Sequence, residues 1–197
     1  SFEARKSEYV DTKSGVSARM SISCYENLLS TAERRMLINQ ESQTSIRMSD
    51  FFGIMPSING KIELVYEGEQ EGARKISFHL INEAVKTLFV NFFPKIEKLQ
   101  KPDESTPYDN LLAWFFKDNK LFLEDNEKEN NYRKKIKSIP EAIELVKKYV
   151  KNTKDDDIYF MVEFLLWGLE AHKKLNKYRS IDGFEFKDSL GSYIKNL

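Results

Sequence analysis

The sequence predicts an all-α protein. Apolar residues recur three and four apart over 73–93 and again over 158–175, the spacing of helices with a buried face. Helix-start chemistry precedes several of these runs, and only 61–66 alternates apolar and polar residues with the period of a strand.

The elements follow in order. Gly15 allows a sharp turn, because without a Cβ it takes a positive φ cheaply, and the chain then delivers Arg19 to a helix beginning near Ser23. Ser23 and Glu26 have the spacing of a capping box, and Tyr25, Leu28, Leu29, Ala32 and Met36 form the expected inner face. A polar gap over 39–45 leads to Ile46, Arg47, Met48, Ser49, Asp50 and Phe51, which enter a second short helix. Residues 61–66 fit either a strand, isolated or in a small hairpin, or a helical turn. The stripe over 73–93 predicts a long helix that Pro94 stops, since proline has no N–H for the helical ladder.

Pro94, Pro102 and Pro107 punctuate a polar stretch, which places a domain boundary between 1–94 and 95–197. Residues 108–117 hold Leu111, Leu112, Trp114, Phe115 and Phe116, too apolar for a helix facing solvent. Residues 124–137 lack apolar periodicity and read as solvated loop or frayed helix. Ser138, Pro140 and Glu141 suit a helix start, with Ile143, Val146, Tyr149 and Val150 inward. Thr153 opens the next start, and Asp155, Asp156 and Asp157 suit the positive end of that helix better than a metal, because consecutive residues diverge around a helix. The run 158–175 is apolar nearly all round, as in a core or interface helix. Asp182 and Gly183 make a turn, Phe184 and Phe186 lay two rings on the domain, and Leu190, Tyr193, Ile194 and Leu197 mark a last helix. No fixed-period repeat suggests a solenoid.

Composition narrows the function classes. The 197 residues carry 31 basic and 31 acidic side chains, so no general polyanion or nucleic-acid binder is indicated. A single cysteine, Cys24, on a packed helix reads as a buried reduced thiol in a cytoplasmic protein. Glu163 interrupts the most apolar run, which is too short to span a bilayer. His79 and His172 lie in different helices, so neither a zinc site nor a catalytic triad is expected, and no metal ligands are assigned.

Gly15, Val16, Ser17, Ala18 and Arg19, followed by Ala32, Glu33, Arg34 and Arg35, resemble the lid subdomain of AAA+ ATPases of the MoxR and magnesium-chelatase branch. The tract from Asn59 and Gly60 through Glu71 and Gly72 resembles bacterial magnesium-chelatase-like proteins in particular, and the likeness covers roughly the first half of the chain. It implies a helical lid over 1–94 and a second helical domain over 95–197, without assigned chemistry. It also implies that Arg19 is the sensor-2 arginine contacting ATP phosphate, with Gly15 and Ser17 beside the nucleotide. A guanidinium suits that task through its permanent charge and planar fork of donors.

No phosphate loop or acidic magnesium strand occurs, and the first residue is Ser1. The expectation is therefore a C-terminal part of a longer ATPase, whose ATP and Mg²⁺ belong to an N-terminal AAA+ core, with Arg19, Arg34 and Arg35 near the face that meets it. The resemblance further implies a homo-oligomeric ring and a partner carrying a von Willebrand A domain. Two alternatives stand beside it. One is a non-enzymatic helical adaptor acting through 108–116 or 158–169. The other is the C-terminal part of a sigma-54-interacting regulator, against which the balanced charge and the lack of a DNA-reading helix-turn-helix argue.

Overall fold

The computed structural model describes residues 1–13, 16–96 and 105–188. Gly15 and the expected helix carrying Leu190, Tyr193, Ile194 and Leu197 lie outside them. The first half holds helices α1 (Phe2–Lys6), α2 (Ala18–Ile38), a 3₁₀ segment (Met48–Ile54), α3 (Met55–Asn59), α4 (Tyr66–Glu71) and α5 (Ala73–Phe92). Then come α6 (Asp109–Phe116), β1 (Leu121–Glu124), α7 (Glu129–Lys137), α8 (Ala142–Tyr149), α9 (Asp157–Ala171), β2 (Leu175–Arg179) and β3 (Gly183–Asp188).

The fold is mixed, which corrects the all-α expectation: β1, β3 and β2 form an antiparallel sheet in that order. Leu121 pairs with Phe186 and Leu123 with Phe184, and all four side chains are buried on one face of the sheet. That alternation is the strand signal, but each strand is only four to six residues long. β1 and β3 are also separated by three helices in sequence. Leu175, expected at the end of a helix, begins β2 instead. Gly183 is required where β3 starts, because a Cβ there would lie 2.1 Å from the Leu123 carbonyl oxygen. Elsewhere the 61–66 tract contributes a single antiparallel bridge, Val10 to Leu64.

Three helix assignments also change. α2 starts at Ala18, and the cap is Ser17, whose Oγ accepts the Arg19 N–H at 3.1 Å, in place of Ser23. Its inner face is rotated from the apolar one: Tyr25 and Leu29 are 63% and 38% exposed, while Asn27 and Arg35 reach inward to Ser57 and Asp50. Ala32 is buried and Leu28 and Met36 are half-buried as expected, so periodicity found the middle of the face and missed its polar edge. Residues 129–137 are helical because Tyr132 and Ile136, four apart, are both buried. Ser138 ends α7, its hydroxyl donating to the Lys135 carbonyl at 2.7 Å, and α8 opens from Glu141 in a left-handed conformation, with Leu145 inside.

α9 is the core helix, buried from Ile158 to Leu169 except for the half-buried Phe160. It meets α5 at Gly168, where a Cβ would come within 2.0 Å of the Phe89 ring, itself fully buried. Gly168→Ala is therefore expected to destabilise the chain by about 1–3 kcal/mol through overpacking. Chemical denaturation checks this, and an unchanged midpoint would mean that the ring yields freely. The hydrophobic core runs from Ala4 to Phe186 and crosses the expected boundary near Pro94. No helix among the described residues is long and apolar enough to cross a membrane.

Candidate functional site

Arg19 lies in the exposed first turn of α2, two residues after the Ser17 cap. The Arg5 guanidinium donates to the Val16 carbonyl at 3.3 Å, tying the approach to α1. That first turn holds no acidic residue. A cation there opposes the helix dipole, so the Arg19 charge does not stabilise α2. Its side chain makes no hydrogen bond or ion pair among the described residues. Ser17 is exposed as well; its oxygen is engaged with the Arg19 amide and its hydroxyl proton remains to donate.

The other arginines of the first half divide sharply. Arg34 is exposed, as expected, but Arg35 is 1% exposed and cannot face a docking surface. Its guanidinium holds Asp50 at 2.8 Å, the Thr44 hydroxyl at 2.7 Å and the Ser45 carbonyl at 2.7 Å. Arg47, equally buried, lies over the Tyr132 ring at 4.2 Å and donates to Glu129 at 2.9 Å and the Glu127 carbonyl at 2.8 Å. Asp50 also accepts the Arg47 N–H, and Glu129 continues the chain of charges to Arg133 and Asp156.

This node welds the first half of the chain to the second. Burial pushes the Glu129 carboxyl up, but hydrogen bonds from Arg47, Arg133 and Ser45 outweigh it and hold the group below its usual range. Glu163, on α9, takes the Met48 N–H at 2.9 Å and lies 3.0 Å from the Tyr132 hydroxyl. Burial raises its pKa to about 7, against the opposing pull of those two donors and Arg47. The Tyr132 phenol is likewise held well above its usual value by burial, with the Glu163 charge adding to the effect. Sequence reasoning missed this cluster. Its one legible signal was an acid inside an otherwise apolar helix, since such a group is retained only where something satisfies it.

A second feature is an apolar cleft of about 600 Å³, walled by Met20 and Cys24 of α2, Phe51, Leu88 of α5, and Phe160 and Phe164 of α9. Cys24 is half-buried in this wall, and burial raises its thiol pKa, which makes it a poor nucleophile. Asp155, Asp156 and Asp157 do not converge, and no group of three potential ligands is placed to hold a metal among the described residues. The arrangement thus presents one uncommitted guanidinium at a helix start, a structural charge node and an apolar cleft. No family model matches the chain, and neither a curated protein nor a solved structure does.

Proposed function

We propose that the chain is the C-terminal part of an AAA+ ATPase of the magnesium-chelatase and MoxR type, in which Arg19 contacts a phosphate of ATP held by the AAA+ core. The observation that carries this is the contrast among arginines. Arg35 and Arg47 are consumed by buried ion pairs, whereas Arg19, in the tract that resembles the sensor-2 motif, is exposed and uncommitted. An exposed guanidinium fits a phosphate, and Gly15 and Ser17 precede it in sequence. Mg²⁺, in this reading, is held with ATP by the core and takes no ligand from this chain. The bound nucleotide supplies the scissile phosphoryl group; Arg19 neutralises charge on it and couples lid angle to nucleotide state. A homo-oligomeric ring and a von Willebrand A domain partner belong to the same proposal.

The test is ATP turnover by the full-length protein. Arg19→Ala should lower kcat by about a hundred- to a thousandfold, the scale of a lost electrostatic donor, without lowering the melting temperature. Arg19→Lys should recover only part of the activity, because it keeps the charge and loses the fork. Unchanged turnover in Arg19→Ala defeats the assignment.

A second reading, the non-enzymatic helical adaptor, is favoured by the apolar cleft, since Phe160, Met161 and Phe164 of the 158–169 run line it. It predicts that Leu88→Arg abolishes partner binding while Arg19→Ala is silent.

A further inference from the structure

We propose that the apolar cleft between α1, α2, α5 and α9 binds an uncharged, hydrocarbon-like small molecule, of the class of a fatty alcohol or an isoprenoid. The cleft reaches into the core of the fold. Met20, Met48, Val85 and Met161, which line it, are buried, whereas Leu88 and Phe92 at its mouth are 46% and 39% exposed. Its volume of about 600 Å³ falls among ligand sites of about 300–1,000 Å³ and far exceeds the water-sized voids of a close-packed interior. A floor of core side chains at that depth is reached by a small molecule that enters the cleft, and not by a helix laid across its mouth.

The wall specifies the chemistry. Among the described residues no Tyr, Trp, His, Asn, Gln, Asp or Arg lines the cleft, so a ligand with several polar groups would bury them without partners. The charged side chains there, Glu3 and Lys6 of α1, pair with each other at 3.5 Å. Glu3 is the less solvated of the two, 16% exposed against 66% for Lys6, so the charge closer to the interior is negative and opposes a carboxylate or phosphate head group. The Ser1 hydroxyl is taken up by Ser21 at 2.6 Å, and burial lowers the pKa of the Ser1 amino group, which favours its uncharged form. Thr87, exposed at the mouth, offers a hydroxyl for a single polar group of the ligand. The methionines on the floor adapt to an irregular apolar guest, because their unbranched thioethers change rotamer readily. Cys24, the one cysteine of the chain, lies in the same wall and reports on occupancy.

Occupancy of the cleft is read without ATP turnover, so its failure and that of the Arg19 assignment are distinguishable. Nile red, an uncharged dye that fluoresces in apolar surroundings, is titrated into the 197-residue chain at about pH 8.5, where the Ser1 amine is mostly neutral. It should bind at one site with a dissociation constant of about 1–50 μM. Decanol should displace it at a concentration at least about tenfold below decanoate or decylamine, which would carry a charge into the cleft. At about ten times its dissociation constant, decanol should slow alkylation of Cys24 by N-ethylmaleimide about tenfold. Ala84→Trp, which sets a ring into the cleft from a half-buried position on α5, should weaken the dye at least about tenfold. Leu88→Asp, at the exposed mouth, should weaken it about three- to tenfold with unchanged circular dichroism, so the cleft is still read if the Ala84→Trp ring disturbs packing. Absence of a dye site overturns the proposal, as does binding indifferent to both variants or a Cys24 that decanol leaves unprotected. Displacement by decanoate or decylamine as strong as by decanol overturns it too and assigns the cleft to a charged amphiphile. A chain that takes no dye yet loses a protein partner in Leu88→Arg returns the cleft to the adaptor reading.

Discussion

Asp50→Ala is expected to destabilise the chain by about 3–5 kcal/mol, the cost of leaving a buried charge without its partner. Asp50 is 2% exposed and accepts two bonds from Arg35, at 2.8 and 3.4 Å, besides the Arg47 N–H at 2.8 Å. Removing it strands the Arg35 guanidinium beside Thr44 and the Ser45 carbonyl, with Glu129 3.9 Å away as its one remaining carboxylate among the described residues. The 3₁₀ segment also loses the side chain that holds its first turn. Urea unfolding should show a large fall in midpoint at constant slope. Asp50→Asn, which retains an acceptor for the Arg47 N–H but no charge, should fall between the two. A loss below about 1 kcal/mol would place the node among surface ion pairs in energetic terms and would remove its role as the weld between the halves.

Glu163→Gln is expected to have the opposite sign. The Glu163 pKa rises from 4.5 to about 7 on folding, so the native state binds the extra proton between those values. Stability from this group is complete below about pH 4.5, declines as pH rises toward 7, and stays reduced above it. The penalty at pH 8 amounts to about 3 kcal/mol on the scale of 1.4 kcal/mol per pH unit. Gln cannot ionise, and its amide oxygen can still accept the Met48 N–H. The variant should therefore be more stable than the parent at pH 8, with the difference vanishing near pH 4. Glu129 acts in the other direction, because its carboxyl sits below its usual range and its stabilisation is lost on acidification. Comparing variant with parent at each pH cancels that contribution. A Gln variant less stable at pH 8 would show that Arg47 and the Met48 N–H hold the ionised carboxylate well enough to offset the cost of its burial.

Long helices were the legible part of this fold. The stripe over 73–93 and the apolar run after 158 became α5 and α9, because their burial is large and their period simple. β1 and β3 carried the alternating pattern in Leu121, Leu123, Phe184 and Phe186, yet β1 is a strand only through its pairing with β3. Their pairing is long-range, so no window of sequence contains it. α7 was hidden because only Tyr132 and Ile136 mark its inner face. Of the expected inner face of α2, Ala32 is buried and Leu28 and Met36 are half-buried, but Tyr25 and Leu29 face out, since the polar Asn27 and Arg35 point to the core and hydrophobicity alone ranks them outside. The charge node was illegible for a related reason: Arg35, Arg47, Glu129 and Glu163 are scattered over nearly 130 positions and each reads singly as a surface charge or an anomaly.

By itself, the sequence determined where helices with a strong apolar face lie and what stops α5. These depend on neighbours within a turn or two, where spacing fixes geometry. Tertiary structure alone decided that the chain folds α with β, which side of α2 is covered, and which arginines are free. Those outcomes turn on whether a distant carboxylate, strand or ring arrives to satisfy a group, and burial makes that satisfaction obligatory.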